Sequence, residues 1–399
     1  YEFSWKAVAG VVIVGFLIFG ATMPSDNPQP ENTPADNVET PPQNNSAQTP
    51  ESDNTTEDTD SSQNQEETSS PTSEIFTLPA PQDVVELETS SNGIYTAAIT
   101  DSGNIQRYDS TVPTGESWAI NDVTGTAIEL NTDGSKVAGI WSNGGIGVYT
   151  KDRAEWKWQV SDAWDISGSS DLSTVAAIQK PGAGTGRLTL FQDGTESWDK
   201  SLSEMSPEVV DVASDGSKIA VGGGEYFAGG TEYQGQHKVV VYNSEGDELW
   251  SKTYDSRVID IDINQNQDTV AVGTDDGKLF VYDLEGSQQW SKDSLGGYLA
   301  MADNTGQILT SQPDRTVLLN SDGSEAWSYN GTSVGRKSAI SADGSLSLTT
   351  GIANMNVVAL QDGEVFSQEY EQAVSVAVDS DGSRFFIGSG SEVTGYELQ

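Results

Sequence analysis

The sequence predicts an all-β protein, an eight-bladed β-propeller with four-stranded blades. Three observations support this fold. Aromatic residues recur about every 40 residues, Asp/Asn-Gly turns recur at the same period, and a lone strand precedes the first repeat. Four short strands in such a period are typical of a propeller blade. One blade cannot bury both of its faces, so the repeats are expected to pack on one another.

The repeat is clearest in residues 255–294, which contain four runs rich in β-branched and aromatic residues. The runs are Val258–Ile263, Thr269–Gly273, Lys278–Tyr282 and Gln288–Lys292. Each run is followed by Asn, Asp or Gly, residues that tolerate turn geometry. The segment therefore predicts a four-stranded meander.

Two markers place the other repeats. The fourth run carries an aromatic residue, at Trp118, Trp158, Trp198, Trp250, Trp290, Trp327 and Phe366. The turn between the first two runs occurs eight times, at residues 92–93, 133–134, 171, 215–216, 268, 305–306, 343–344 and 381–382. We expect Trp158, Trp198, Trp250, Trp290 and Trp327 to be buried between neighbouring blades.

The eighth repeat ends one strand short, after Glu392–Leu398. The lone strand Glu74–Pro79 carries Phe76 at the position where other repeats have Trp. We expect this strand to complete the eighth blade and to close the ring over residues 74–399. Closure removes the exposed sheet edges that an open array would leave.

Residues 1–22 are predicted to form a transmembrane anchor helix, because the segment 7–24 has no charge and can cross about 30 Å of hydrocarbon. Lys6 precedes this segment and only acidic residues follow closely, which favours a single-pass protein with the propeller outside the cell. A cleaved signal peptide and a processed, pilin-like N-terminus are the alternatives.

Residues 23–73 are rich in Pro, Ser, Thr and acidic residues and contain no basic or aromatic residue. This composition cannot bury enough apolar surface to offset chain entropy, so it predicts a disordered linker that acts as a stalk. Candidate N-glycosylation sequons begin at Asn44 and Asn54 in the linker and at Asn330 in the propeller.

The formal net charge of −42, with only 19 Lys and Arg residues, excludes a nucleic-acid partner. The absence of cysteine excludes disulfides, thiolate metal sites and a cysteine nucleophile. Such acidity keeps a protein soluble and resembles the composition of haloarchaeal surface proteins.

A Gly-x-x-x-Trp spacing recurs in the pairs Gly194/Trp198, Gly246/Trp250, Gly286/Trp290 and Gly323/Trp327. It resembles the tryptophan-docking motif of the pyrroloquinoline-quinone-like propeller family, whose members include eight-bladed quinoprotein alcohol dehydrogenases and a non-catalytic barrel-assembly lipoprotein. The resemblance implies a Trp that packs between blades. It also implies the non-catalytic branch, since the dehydrogenases place adjacent cysteines over the cofactor and this chain has none.

No catalytic, cofactor-binding or metal-binding residue is predicted. The turns at 131–135, 213–217 and 379–383 offer at most two carboxylates each, and Asp-Gly is a common hairpin turn, so we expect structural turns, with calcium loops as the alternative. His237 has no His or Cys partner for zinc.

The fourth repeat is longer than the others, with its surplus between the second and third strands. The surplus carries Tyr226, Phe227, Tyr233 and His237 among glycines. We predict that these four residues contact a partner, because aromatic side chains on a Gly-rich loop supply adaptable contact area. The alternative is a decorated hairpin that covers the end of its own blade.

The sequence thus predicts a membrane-anchored, extracytoplasmic module that binds a protein or a surface glycan. The rival hypotheses are an extracellular enzyme, either a hydrolase or a quinoprotein-like redox enzyme, and a subunit of a surface filament. Inward-facing polar residues with shifted pKa values at the mouth of the funnel would favour an enzyme.

Overall fold

The computed structural model describes residues 72–112, 118–120, 127–140, 145–160, 162–180, 186–227, 233–311, 315–330, 337–350, 356–361, 363–372 and 374–399. The described residues form eight four-stranded antiparallel sheets and one two-stranded hairpin. Among them no helix is long and apolar enough to cross a membrane. The predicted anchor and most of the predicted linker, with Asn44 and Asn54, lie outside these residues.

The first four blades are built from strands in chain order. They comprise β2 (Val84–Thr89), β3 (Tyr95–Thr100), β4 (Ile105–Asp109) and β5 (Trp118–Ile120); β6 (Ile128–Leu130), β7 (Lys136–Ile140), β8 (Ile146–Thr150) and β9 (Ala154–Trp158); β10 (Ala163–Gly168), β11 (Thr174–Gln179), β12 (Gly186–Gln192) and β13 (Thr195–Leu202); and β14 (Ser206–Val212), β15 (Lys218–Gly224), β18 (Lys238–Asn243) and β19 (Glu248–Thr253). The additional hairpin, β16 (Tyr226–Phe227) and β17 (Tyr233–Gln234), lies between β15 and β18.

The remaining blades follow the same order, apart from the last. They comprise β20 (Val258–Asn264), β21 (Thr269–Thr274), β22 (Leu279–Asp283) and β23 (Gln288–Lys292); β24 (Leu299–Met301), β25 (Ile308–Ser311), β26 (Arg315–Leu319) and β27 (Glu325–Asn330); β28 (Ser338–Ile340), β29 (Ser347–Thr350), β30 (Asn356–Leu360) and β31 (Glu364–Glu369); and β32 (Val374–Val378), β33 (Arg384–Ser389), β34 (Glu392–Leu398) and β1 (Thr72–Pro79).

The eighth blade confirms the predicted closure. Its order is β1-β34-β33-β32, so its outermost strand comes from the N-terminal side of the propeller. Phe76 pairs with Gly395 across the antiparallel strands, is 7% exposed and packs against Phe386. The strand begins at Thr72, two residues before the predicted start.

The first strand of each blade lies nearest the axis and contacts the first strand of the next blade, and β2 of blade 1 packs against β32 of blade 8. The turns between first and second strands also bond from blade to blade. The Ser91 N–H donates to Thr132 O at 3.0 Å, and the Ser380 N–H donates to Ser91 O at 2.9 Å. The second bond joins blade 8 to blade 1. The ring is therefore closed by hydrogen bonds as well as by packing.

The Trp residues dock on glycines of the following blade. The indole of Trp250 lies against Gly286, and its Nε1–H donates to Leu284 O at 3.0 Å. Trp198 and Trp290 make the equivalent bonds to Ser244 O at 3.0 Å and Ser321 O at 2.8 Å. The facing glycines have a positive φ, for example +84° at Gly286, so their backbones can approach the ring closely.

The prediction for the second blade was wrong. Trp156, not Trp158, lies against Gly194 of the next blade, while Trp158 is 38% exposed. The register explains the difference: Trp156 pairs with Val148 beside a β-bulge, as Trp250 pairs with Val241. Among the other predicted Trp residues, Trp250 is 9% exposed. Trp198, Trp290 and Trp327 are only partly buried.

The ring has two faces, which differ in the connections that lie on them. The turns between the first and second strands lie at the lower face. The second-to-third strand loops and the connections between blades lie at the upper face, because consecutive strands are antiparallel. Asn330, the last residue of β27, is exposed, so its side chain is open to solvent at the predicted sequon.

Candidate functional site

The surplus of the fourth blade lies at the upper face, beside the connections between blades. Its base is bonded to Glu204, which lies in the connection between blades 3 and 4. The Gln236 N–H donates to Glu204 O at 2.7 Å, and Lys238 Nζ lies 3.2 Å from a Glu204 carboxylate oxygen. His237 Nε2 lies 3.6 Å from Glu225 Oε1 across the base. The insertion is thus a separate hairpin whose base is bonded to Glu204.

The predicted partner-contact residues belong to this hairpin. Tyr226 and Phe227 form β16, and they pair with Gln234 and Tyr233 of β17. His237 is half-buried at the base. The side chains of Tyr226, Phe227 and Tyr233 lie outside what the structure describes, so their contact with a partner stays a prediction.

Ion pairs surround the hairpin on the upper face of blades 3, 4 and 5. We call this surface the rim patch, and it consists of Lys180, Glu204, Glu208, Glu225, His237, Lys238, Arg257, Asp275 and Lys278. It holds four of the 19 Lys and Arg residues of a strongly acidic chain. Its carboxylates equal its Lys and Arg residues in number, so the patch presents paired charges of both signs beside the hairpin.

The most enclosed ion pair of the rim patch joins Lys180 to Glu208. Their charged atoms are 2.7 Å apart, and Lys180 Nζ also lies 3.6 Å from the centre of the Trp164 ring. Burial lowers the pKa of Lys180, and the Glu208 carboxylate opposes that shift. Arg257 packs against Gly224 at the base of the hairpin and pairs with Asp275 at 3.4 Å. These contacts form a preorganised charged surface.

The second polar feature is the channel at the axis of the ring. The first strand of each blade is an edge strand, so the N–H groups on its free edge, which face away from its own sheet, would lack partners. Side chains of the preceding blade accept several of them. The Asp165, Asp211, Asp260 and Asp262 carboxylates accept the N–H groups of Val210, Ile263, Leu299 and Met301 at 3.1, 2.7, 2.9 and 2.8 Å. These bonds join blades 3, 4, 5 and 6.

The same device joins blades 8, 1 and 2. The Leu87 N–H donates to Ser375 Oγ at 3.0 Å, and the Ile128 N–H donates to Glu86 Oε2 at 3.0 Å. Lys337 of blade 7 reaches across to Glu86 of blade 1, with 2.8 Å between Nζ and Oε1. The channel side chains therefore link non-adjacent as well as adjacent blades.

Burial, and after it the charge of neighbouring carboxyls, raises the pKa values of the channel carboxyls. Burial, together with the neighbouring Glu86 charge, raises the pKa of Glu88 to about 8. Burial also raises the pKa of Asp165 to about 7 and that of Asp260 to about 7, although the backbone N–H groups that donate to these carboxyls lower both pKa values. The pKa of Glu129 is raised by burial and by Glu88. Protonated carboxyls can share this channel because protonation removes their mutual repulsion.

The turn carboxylates accept hydrogen bonds within their own turns. Asp133 Oδ1 accepts hydrogen bonds from the Ser135 N–H and from Asn131 Nδ2, both at 2.9 Å. Chiefly through the bonds from Ser135, the pKa of Asp133 is lowered. No group of three or more His, Asp or Glu side chains suited to a metal ion occurs among the described residues.

Sequence reasoning missed the channel carboxylates. Their signal is period-two alternation in the first strands, as in Glu86 and Glu88 or Asp260 and Asp262, where acidic residues alternate with buried apolar ones. Inward-facing carboxyls with raised pKa values do converge, which is the pattern expected of an enzyme. Their bonds to N–H groups of the next blade supply a structural reason for the same pattern.

The structure is similar to propellers of known structure. It matches Sqt1 of Saccharomyces cerevisiae with a TM-score of 0.65 and 10% identity, covering 81% of this chain and 98% of that one. It matches the C-terminal WD40 domain of Sif2 with a TM-score of 0.65 and 11% identity, covering 82% and 98%. At these identities the likeness shows the fold alone.

A third match is Sqt1 of Chaetomium thermophilum bound to the N-terminus of ribosomal protein L10, with a TM-score of 0.64 and 13% identity, covering 81% of this chain and 99% of that one. No match is found among the curated proteins.

The match to a family model includes the blades with the most regular Trp docking. The model described as outer membrane protein assembly factor BamB matches residues 184–384, half of the 399-residue chain. This chain therefore belongs to that family of pyrroloquinoline-quinone-like β-propellers.

Proposed function

We propose that the protein is a non-catalytic scaffold that binds a protein partner through the rim patch and the hairpin of blade 4. The observation that carries the proposal is the fixed base of the hairpin. Bonds from Gln236 to Glu204 and from Lys238 to Glu204 hold a separate β-hairpin out of the blade, beside a cluster of ion pairs. A connection of two strands needs only two to five residues.

The fold supports a protein partner. Sqt1 of Chaetomium thermophilum, a propeller of the same architecture, holds the N-terminus of a ribosomal protein. The rim patch offers oriented charged groups, which give an interface specificity and steer association. The hairpin adds the aromatic residue types that dominate binding energy in interfaces.

The test is capture of partners by the immobilised full chain. In one variant an Asn-Gly turn replaces residues 225–236, and in a second His237 and Lys238 become Ala. The matched control is Lys136→Ala, which removes a Lys–Glu pair of 3.1 Å at the lower face. We expect capture to be lost in both rim variants and retained in the control. Equal capture by all variants would overturn the proposal.

We further propose that residues 7–24 anchor the protein in the cell membrane and that residues 23–73 hold the propeller outside the cell. The uncharged segment and the acidic, Pro-rich tract in the sequence support this proposal. The net charge of −42 suits an environment of high salt, where repulsion between surface charges is screened. Protease treatment of intact cells should degrade the propeller, and resistance until the cells are lysed would contradict this location.

One observation favours a second function, that of a hydrolase that uses the channel. Glu88, with a pKa raised to about 8, is a potential proton donor beside Glu86, which is ion-paired to Lys337. A Glu88→Gln variant would then lose a hydrolytic activity that the wild-type chain shows on a panel of glycosides and esters. Absence of activity in the wild-type chain would leave only the scaffold.

A further inference from the structure

The junction between blades 7 and 8 lacks the docking contact that joins blades 2 to 6. In blades 3 to 6 the turn between the third and fourth strands carries the glycine on which the Trp of the preceding blade docks. Blade 8 has no such turn, because its third strand, β34, and its fourth strand, β1, come from distant parts of the chain. Blade 7 correspondingly presents Phe366 where blades 1 to 6 present Trp. Both halves of the docking contact are therefore missing at this junction.

A groove of about 490 Å³ opens at this junction, and we call it the seam groove. It is lined by Thr72, Glu74, Glu364, Phe366, Ser367 and Tyr396. Its floor is aromatic: the Phe366 and Tyr396 ring centres are 4.8 Å apart, and Tyr396 stacks on Phe385 at 5.0 Å. The rings are fixed by packing, so the floor is preformed.

Two exposed carboxylates flank the aromatic floor. Glu364 accepts a hydrogen bond from Tyr329 Oη at 2.7 Å, and Glu74 accepts one from Thr77 Oγ1 at 2.8 Å. Neither carboxylate forms an ion pair with a base among the described residues, unlike the acids of the rim patch. Burial raises the pKa of the Tyr396 phenol, and the nearby Glu74 charge raises it further. The groove thus combines negative charge with aromatic rings.

We propose that the seam groove binds the guanidinium group of an arginine side chain from a protein partner. A guanidinium stacks on aromatic faces and donates hydrogen bonds to carboxylates on its edges, and these are the two kinds of group that the groove presents. The site is distinct from the rim patch. Its test uses a small probe, so its outcome is separate from that of partner capture.

The probe is N-acetyl-arginine methylamide, titrated against the full chain and followed by saturation-transfer NMR. Citrulline methylamide, acetylated in the same way, is the neutral isostere. The variant Glu74→Gln/Glu364→Gln keeps both side chains able to accept their hydrogen bonds but removes both charges. The control variant Glu248→Gln/Glu285→Gln removes two exposed charges from blades 4 and 5, where Glu285 lines a smaller inter-blade groove that also contains Lys218.

We expect the arginine probe to bind the wild-type chain and the control variant with similar Kd values. Binding should weaken at least tenfold in the Glu74→Gln/Glu364→Gln variant and at least tenfold for the citrulline probe. A Phe366→Leu variant, which keeps the carboxylates, should weaken binding several-fold. Absence of binding to the wild-type chain, equal weakening in both double variants, or equal binding of the citrulline probe would each overturn the proposal.

Discussion

Truncation of a docked tryptophan should destabilise the ring far more than truncation of an undocked one. Trp250 is 9% exposed, lies against Gly286 of the next blade and donates its Nε1–H to Leu284 O at 3.0 Å. Burial of about 150–250 Å² at about 25 cal/mol per Å² contributes about 4–6 kcal/mol. Measured costs of Trp or Phe to Ala changes in cores are about 3–5 kcal/mol, so we expect a loss in that range for Trp250→Ala.

Two further variants separate the contribution of the Trp250 hydrogen bond from that of the docked ring. Trp250→Phe keeps an aromatic ring but loses the Nε1–H donor, so it should cost about 1–2 kcal/mol. Trp158→Ala removes a side chain that is 38% exposed and has no docking glycine, and it should cost about 1–2 kcal/mol. The assay is urea unfolding followed by circular dichroism at constant salt. Equal losses in Trp158→Ala and Trp250→Ala would refute the docking account.

Three other predictions concern the glycines, the closing strand and the channel. Gly286→Ala and Gly277→Ala both place a side chain at a φ above +80°, but only Gly286→Ala places a Cβ 2.6 Å from the Trp250 ring. The unfolding midpoint of Gly286→Ala should therefore fall further than that of Gly277→Ala. Equal shifts would contradict the contact between Gly286 and the Trp250 ring. Phe76→Ala should cost about 3–5 kcal/mol and promote association seen by light scattering, because a loosened β1 exposes a sheet edge; a monomer of wild-type stability would argue against closure by β1. In the channel, the pKa of Asp165 and that of Asp260 are raised to about 7 in the folded state, so the folded chain holds protons that the unfolded chain has released above about pH 4. Stability should therefore fall as the pH rises from 5 to 8, and Asp165→Asn/Asp260→Asn should flatten that slope; an unchanged slope would contradict these pKa values.

The fold could be predicted from the sequence because its signals are local and repeated. The period of about 40 residues, the Asp-Gly turns and the lone strand around Phe76 all depend on near neighbours in the chain. The prediction of Trp158 was wrong because an equal spacing of 40 residues between Trp residues does not fix the register of the strand. Asp152 stands four residues before Trp156, where blades 3 to 6 have Gly, and that spacing identifies the docked residue.

The polar channel and the seam groove depend on contacts between distant parts of the chain. Lys337 and Glu86 are 251 residues apart in sequence, and no local pattern brings them together. The seam groove exists because β34 and β1 meet without a turn, which follows from ring closure and not from either strand alone. By contrast, the blade-4 insertion was visible as a length difference, and the structure places it between β15 and β18, the second and third strands, as predicted.

We propose that a protein partner binds at the rim patch and the hairpin of blade 4. The most direct test is hydrogen–deuterium exchange of the full chain with and without a partner captured in the assay above. We expect protection of residues 204–208, 225–238 and 254–257 when the partner is bound. Protection confined to the lower-face turns, such as residues 131–135 and 379–383, would contradict it.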